Sequence, residues 1–165
     1  MPERSIRQSQ TIKVSSVRMG EIVVGGEDEL IKSLLGSCIG LAVYDRIVGI
    51  GGLAHIVLPS SEGYIGPPGK FADTAISELI RRIEEQGGCQ RNMVAKLAGG
   101  ARMFHCESSL TVGERNLETI KRHLQERSIP VCGQHCGGTS GRRMVFYPRT
   151  GRVTIGLIGE KSIEI

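Results

Sequence analysis

Cys38 and His55 are the residue types that thiolate catalysis requires, and both lie in one apolar stretch, 34–59, LLGSCIGLAVYDRIVGIGGLAHIVLP. Apolar β-formers fill its two halves, Asp45 and Arg46 interrupt them, and Gly49, Gly51 and Gly52 thin the second half. This pattern predicts two strands joined by a short turn at 45–48, a β-hairpin. The turn centre falls between residues 46 and 47, and Cys38 and His55 are equally far from it. A symmetric register sets the two directly opposite each other on one face, with Cβ atoms about 5 Å apart. A thiol that close to an imidazole is the minimum apparatus for nucleophilic catalysis. On Cys38's face the neighbours Gly40 and Ala42 are small and leave room for other groups, whereas Ile39, Leu41 and Val43 make the opposite face apolar. Two plainer readings stand beside this one. A free cysteine packs as a small hydrophobe, and a histidine can be satisfied by a backbone carbonyl. A slip of one residue in register would also separate the pair.

The elements that must hold these residues follow from the rest of the chain. Residues 1–11 are polar and read as a flexible N-terminal arm, leaving 12–165 as a single domain. Ile12 to Val24 suggests one or two strands around Gly20, and 25–28 (GGED) is a turn. Leu30 to Leu35 reads as a strand entering a Gly36-Ser37-Cys38 corner, where a glycine permits a turn that aims backbone N–H groups at a bound carbonyl oxygen. Pro59 to Lys70 is a Gly/Pro/Ser loop, facing substrate or merely connecting elements. Its GPPGK end lacks the glycine and hydroxyl residue of a phosphate loop. Phe71 to Gln86 carries Ala72, Ala75, Ile76, Leu79, Ile80 and Ile83 at helical spacing and stops at Gly87-Gly88. Asn92 to Ala98 is a strand ended by Gly99-Gly100. Thr111 and Glu114 form a capping box before a second helix with Leu117, Ile120 and Leu124 on one face. A strand starts within 129–132, and 143–147 pairs with 152–158 across a turn. Two amphipathic helices and about seven strands, several in hairpins, make an α+β fold with helices laid on sheet.

Composition narrows the partners. With 39% hydrophobic residues and 23% charged, the chain can bury a core. The N-terminus lacks the apolar segment of a secretory signal and no run is long enough for a membrane span, so the cytoplasm is the expected location. Five cysteines without a signal point to reduced thiols. The +4 charge is concentrated in part at Arg142, Arg143, Arg149 and Arg152, which suits an acidic protein partner. Aromatics are too few for base stacking and no nucleic-acid motif is present, so nucleic acid is not an expected partner. Cys132, His135 and Cys136, with Cys89 or His105-Cys106, are a rival constellation for zinc, although C-x-x-H-C is irregular spacing for it. Gly99, Gly100, Gly137 and Gly138 end strands or allow backbone to approach the thiol closely.

Several motifs in order resemble the chemoreceptor glutamine deamidase family, CheD: LLGSC at 34–38, GGLAHIVLP at 51–59, PGKFADTA at 68–75, AKLAGGARMF at 95–104, VGERN at 112–116 and GGTSGRRMVFYPRTGRV at 137–153. The resemblance implies a three-layer α/β sandwich with a mainly antiparallel sheet, similar to toxin-type deamidases, and a Cys-His-Thr centre. Carried onto this chain, Cys38 is the nucleophile and His55 its base. The third residue departs from the pattern: Lys32 stands six positions before the cysteine, where the family often has threonine, and Ser33 stands five before. Ser33 completes the catalytic set if the strand shifts locally; an unshifted strand points it away. His135 and Cys136 also replace an acidic and a small or hydroxyl residue.

The resemblance further implies conversion of receptor glutamines to glutamate through a cysteine thioester, with glutamate methyl esters as a second substrate. Its implied partners are methyl-accepting chemotaxis receptors and a CheC-type phosphatase, reached at the membrane without insertion. It implies no metal or organic cofactor. The alternatives are a non-catalytic regulatory module that docks a phosphatase or receptor, and a general thiol amidase or acyltransferase.

Overall fold

The computed structural model describes residues 11–104 and 110–165. Alternation of side chains builds its strands: in β3 (Glu29–Leu35), Ile31, Ser33 and Leu35 point inward while Lys32 and Leu34 face out. β3 lies in a five-stranded sheet with β1 (Lys13–Ser16), β8 (Arg142–Tyr147), β9 (Arg152–Leu157) and β10 (Ile163–Glu164), in the order β1-β3-β8-β9-β10. This outer sheet buries one face only.

The second sheet runs β2-β5-β4-β6-β7, from β2 (Ile22–Gly25), β5 (Ile50–Ile56), β4 (Ile39–Asp45), β6 (Met93–Gly99) and β7 (Val131–Cys136). Every residue of β4 is buried, because this central sheet is covered on both faces. On one face Ile39, Leu41 and Val43 pack against α1 (Ala72–Glu85) and α2 (Val112–Glu126) through Ile76, Leu79, Ile83, Ile120 and Leu124. On the other, Ala42, Tyr44 and Leu53 meet Ile31, Leu35, Met144, Phe146 and Ile155 of the outer sheet. Helices, central sheet and outer sheet are therefore three layers, with antiparallel pairing everywhere except β1 with β3 and β6 with β7. Each fully buried leucine or isoleucine in these two cores contributes about 1.5–3 kcal/mol by leaving water.

Both helices form where periodicity places them. Phe71 caps α1 and Gly87, at φ +102°, follows its end. Thr111 and Glu114 make the reciprocal capping box of α2, with Glu114 N donating to Thr111 Oγ1 at 3.2 Å and Thr111 N to Glu114 Oε2 at 2.6 Å. The described residues hold ten strands, because 13–25 is divided between the two sheets and a short strand forms near the C-terminus. The N-terminal arm, apart from Thr11, and the His105-Cys106 pair lie outside the described residues.

The hairpin register corrects the symmetric expectation. Asp45 pairs with Ile50, so the turn is 46–49, one position later than predicted, and His55 stands opposite Gly40 instead of Cys38. Asp45 causes the shift: its Oδ1 accepts from Ile47 N at 2.7 Å and Val48 N at 3.1 Å, and its Oδ2 from Cys89 N at 2.8 Å. The aspartate thus ends the strand as a turn cap. Gly49 closes the turn at φ +69°. Pairing moves by two residues, so Cys38, just before β4 and outside the ladder, is no longer opposite His55, which shares its face with Gly40.

Candidate active site

That face looks toward the outer sheet, which fills the space left by Gly40. A Cβ on Gly40 would lie 2.7 Å from Met144 Sδ and 2.8 Å from Leu35 Cδ1. The close approach also brings Ser33 of β3 to His55 of β5: Ser33 Oγ and His55 Nδ1 are 2.9 Å apart, both residues being only 4% exposed. Inward alternation of β3 puts Ser33 on the required side and Lys32 on the solvent side.

The tautomer follows from the hydrogen-bond inventory. Ser33 Oγ donates its one hydrogen to Val17 O at 2.7 Å, so toward the ring it can only accept. His55 Nδ1 therefore carries a proton, and Nε2 keeps the lone pair that can take another. Burial pushes the His55 pKa below the usual histidine value, opposed by the Val17 carbonyl and the Glu21 charge. Burial likewise pushes the Cys38 thiol up, opposed by a hydrogen bond from Ser37. Both shifts favour the neutral pair at rest, so ionisation of the thiol needs a base at the moment of attack.

Cys38 sits just before β4 in the 36–38 corner, half-buried. Gly100 N donates to Cys38 O at 2.9 Å and Ala101 N to Gly36 O at 2.9 Å, so the end of β6 clasps the corner. Gly99, at φ +107°, lies so close that a Cβ would fall 2.2 Å from Cys38 O. Gly99 and Gly100 thus have the close-approach role that residue type left open. Gly137 supports them at one remove, its N–H donating to Gly99 O at 2.9 Å.

Cys38, His55 and Ser33 all line one open cleft of about 900 Å³. Its other walls include Val17, Arg18, Met19, Met103 and Phe104, which residue type did not single out, and Arg143 of the basic C-terminal region. They come from a loop before β2, a loop after β6 and the outer sheet, which only tertiary packing joins. The loop 59–70 does not line the cleft. It backs the segment that does, since a Cβ on Gly69 would meet Gly20 O at 2.5 Å.

The other cysteines go elsewhere. Cys89 N bonds to Asp45 and Cys132 Sγ bonds to Ala95 O at 3.5 Å, both at the far end of β4 from Cys38. Cys136 lies beside Gly99, four residues or roughly 13 Å along β7 from Cys132. His135 Nδ1 and its carbonyl both accept from Arg142 at 2.7 Å. Among the described residues no group of three His, Cys, Asp or Glu side chains is gathered for a metal. None of the described helices is long and apolar enough to cross a membrane.

An α/β/β sandwich that keeps a thiol and a hydroxyl-tethered imidazole in one cleft defines a class of protein built around a cysteine-histidine site. A family model described as CheD chemotactic sensory transduction matches residues 57–156. A probable chemoreceptor glutamine deamidase CheD of Methanococcus vannielii is 44% identical over 144 residues, covering 86% of this chain and 94% of its own. One of the same name from Clostridium kluyveri is 42% identical over 159 residues, covering 93% and 97%. The hypothetical protein YfiH of Bacillus licheniformis aligns in structure with a TM-score of 0.48 at 11% identity, over 81% of this chain and 62% of its own, less than two thirds of that structure. The chain belongs to the CheD family.

Proposed function

We propose that this protein is a chemoreceptor glutamine deamidase that hydrolyses the side-chain amide of a protein glutamine through a Cys38 thioester. The observation that carries the reading is the hydrogen bond from His55 Nδ1 to Ser33, which leaves Nε2 free in the cleft that also holds Cys38. The relatives, probable chemoreceptor glutamine deamidases, supply the substrate class.

His55 Nε2 takes the thiol proton as Cys38 Sγ attacks the glutamine Cδ. The oxygen that becomes negative is held by backbone N–H groups of the 36–38 corner. The amide C–N bond then breaks, His55 gives its proton to the leaving nitrogen, and ammonia departs. Water enters, loses a proton to the same Nε2 and attacks the thioester; Cys38 leaves as thiolate and is reprotonated by His55. Glutamate and ammonia are the products. A glutamate methyl ester follows the same route with methanol as the leaving group. A CheC-type phosphatase is the partner expected from the family resemblance.

The test is ammonia release from a purified receptor cytoplasmic fragment, with peptide mass spectrometry to find glutamine converted to glutamate, for wild type and Cys38→Ala. Conversion should vanish in C38A, and a fully active C38A would overturn the nucleophile. Saturable receptor binding without conversion by the wild type would instead make this a docking module.

A further inference from the structure

Between β1 and β2 the chain leaves the outer sheet and enters the central one, and it does so beside His55. Val17 is still held by the outer sheet, its N–H donating to Lys32 O at 2.8 Å and its carbonyl accepting from Ser33 Oγ at 2.7 Å. A few residues on, the partner is β5: Gly20 N donates to His55 O at 2.8 Å and His55 N donates to Glu21 O at 3.1 Å. Ile22 then pairs with Ala54 in the regular ladder, so Gly20 and Glu21 together oppose one residue, His55. Two residues against one make a β-bulge, here of the kind that opens on a glycine at positive φ, since Gly20 is at +79°.

The crossing is folded by its own groups. Glu21 N donates to Arg18 O at 2.9 Å, closing a β-turn with Gly20 at the position where a type II turn requires positive φ. The Glu21 carboxylate closes it a second time, accepting from Arg18 N at 2.9 Å and pairing with the Arg18 guanidinium at 2.8 Å. Pro67 and Lys70 back the turn, each 3.4 Å from the place that a Cβ on Gly20 would take. The segment 17–21 therefore bridges the same gap between the sheets as the hydrogen bond of Ser33 with His55. That position decides where a proton sits. Ser33 Oγ has one hydrogen and two neighbours that can accept it, Val17 O and His55 Nδ1. With Val17 O in place the hydrogen goes to the carbonyl, and Nδ1 keeps its proton. With Val17 O displaced the hydrogen turns to Nδ1, the ring proton resides on Nε2, and Nε2 can no longer take the thiol proton.

We propose that the 17–21 crossing selects the tautomer of His55, with Gly20 and Glu21 as its positioning residues. Both act through Val17 O, Ser33 and the main chain of His55. The assignment deepens the deamidase reading and rests on it for the part His55 plays, while the place of the ring proton is readable without substrate. The bulge is what makes the short crossing possible. It bends its strand and raises the local twist, so that a chain paired with His55 at Gly20 reaches the Ser33 hydroxyl at Val17.

Long-range proton–nitrogen correlation spectra of the nitrogen-labelled full chain, taken at about pH 8 where an ordinary histidine is neutral, read the tautomer directly, and His55→Gln identifies the signal. The wild type should show the proton on Nδ1. Gly20→Val introduces a β-branched residue that avoids positive φ; it should make the Nε2–H form the major one and lower kcat on receptor fragment about tenfold with KM nearly constant. Gly20→Asn, which tolerates positive φ, should keep both near wild type. Glu21→Ala should shift the tautomer in the same direction, and Glu21→Gln, whose amide oxygen can still accept from Arg18 N, should restore it. A merely structural role would lower the folded fraction, read by urea unfolding, without moving the ring proton. Nδ1–H retained in folded G20V overturns the selector and leaves the deamidase standing, and Nε2–H as the wild-type form overturns it as well. If G20V does not fold, E21A decides: a shifted tautomer sustains the proposal and an unshifted one overturns it. Absence of turnover by the wild type sinks the deamidase reading alone, since the spectra still judge the crossing.

Discussion

Ser33 separates two accounts of the site at the scale of one side chain. Its hydroxyl accepts a hydrogen bond from His55 Nδ1 and donates one to Val17 O, an arrangement that orients the ring with Nε2 unengaged by it. Ser33→Ala leaves a buried N–H short of its hydroxyl partner, at a cost of about 1–3 kcal/mol. We expect kcat on receptor fragment to fall roughly tenfold or more with KM nearly constant, since orientation of the base enters the proton-transfer step. Ser33→Thr keeps the hydroxyl and should restore most of kcat. A purely structural role would lower the folded fraction and leave kcat per folded molecule unchanged. Residue type alone left this serine undecided, because the side that a strand residue faces depends on where the strand bends.

The 99–101 segment is the device at the scale of the element. β6 ends where Gly99 and Gly100 take positive φ and turn their backbone against Cys38 and Ile39. Gly99→Ala puts a methyl into a left-handed backbone and against Cys38 O, and nothing flexible can yield there. We expect a loss of about 1–3 kcal/mol in urea unfolding, with kcat falling further than stability explains as the 36–38 corner moves. Undiminished kcat in folded G99A would mean that the corner is not positioned by β6. The hairpin offers the contrasting case. Apolar runs and the charged interruption made it readable, yet Asp45 capped the turn one residue later than symmetry suggested, since its carboxylate had three N–H groups to satisfy.

The three-layer arrangement makes the site a junction between sheets, and His55 pairs them. Its ring lies buried on β5 against Ser33 of β3, and that burial holds its folded pKa below the ordinary value of about 6.5. In the window between the lowered pKa and 6.5 the unfolded chain binds the proton and the folded one does not. Stability contributed by neutral His55 is therefore present above about pH 6.5 and is lost as pH falls below it. Urea midpoints measured at about pH 8 and about pH 5.5 should drop more in wild type than in His55→Gln. Equal drops would show that burial between the sheets does not depress this histidine.

Most elements were legible in sequence because they are local. The apolar stripe of 72–83, the capping box at 111–114, the alternation in 29–35 and the Gly-bounded strands each depend on residues a few positions apart, whose periodicity is set by helix and strand geometry. The sequence by itself also determined the hairpin that carries His55, although not the register, which sets Gly40 and not Cys38 opposite it. Only the tertiary structure decided that Ser33 reaches His55 and that the β6 glycines clasp the 36–38 corner. Those relations join residues from separate strands and loops. Their distances follow from how closely two sheets pack across Gly40, which local periodicity does not encode.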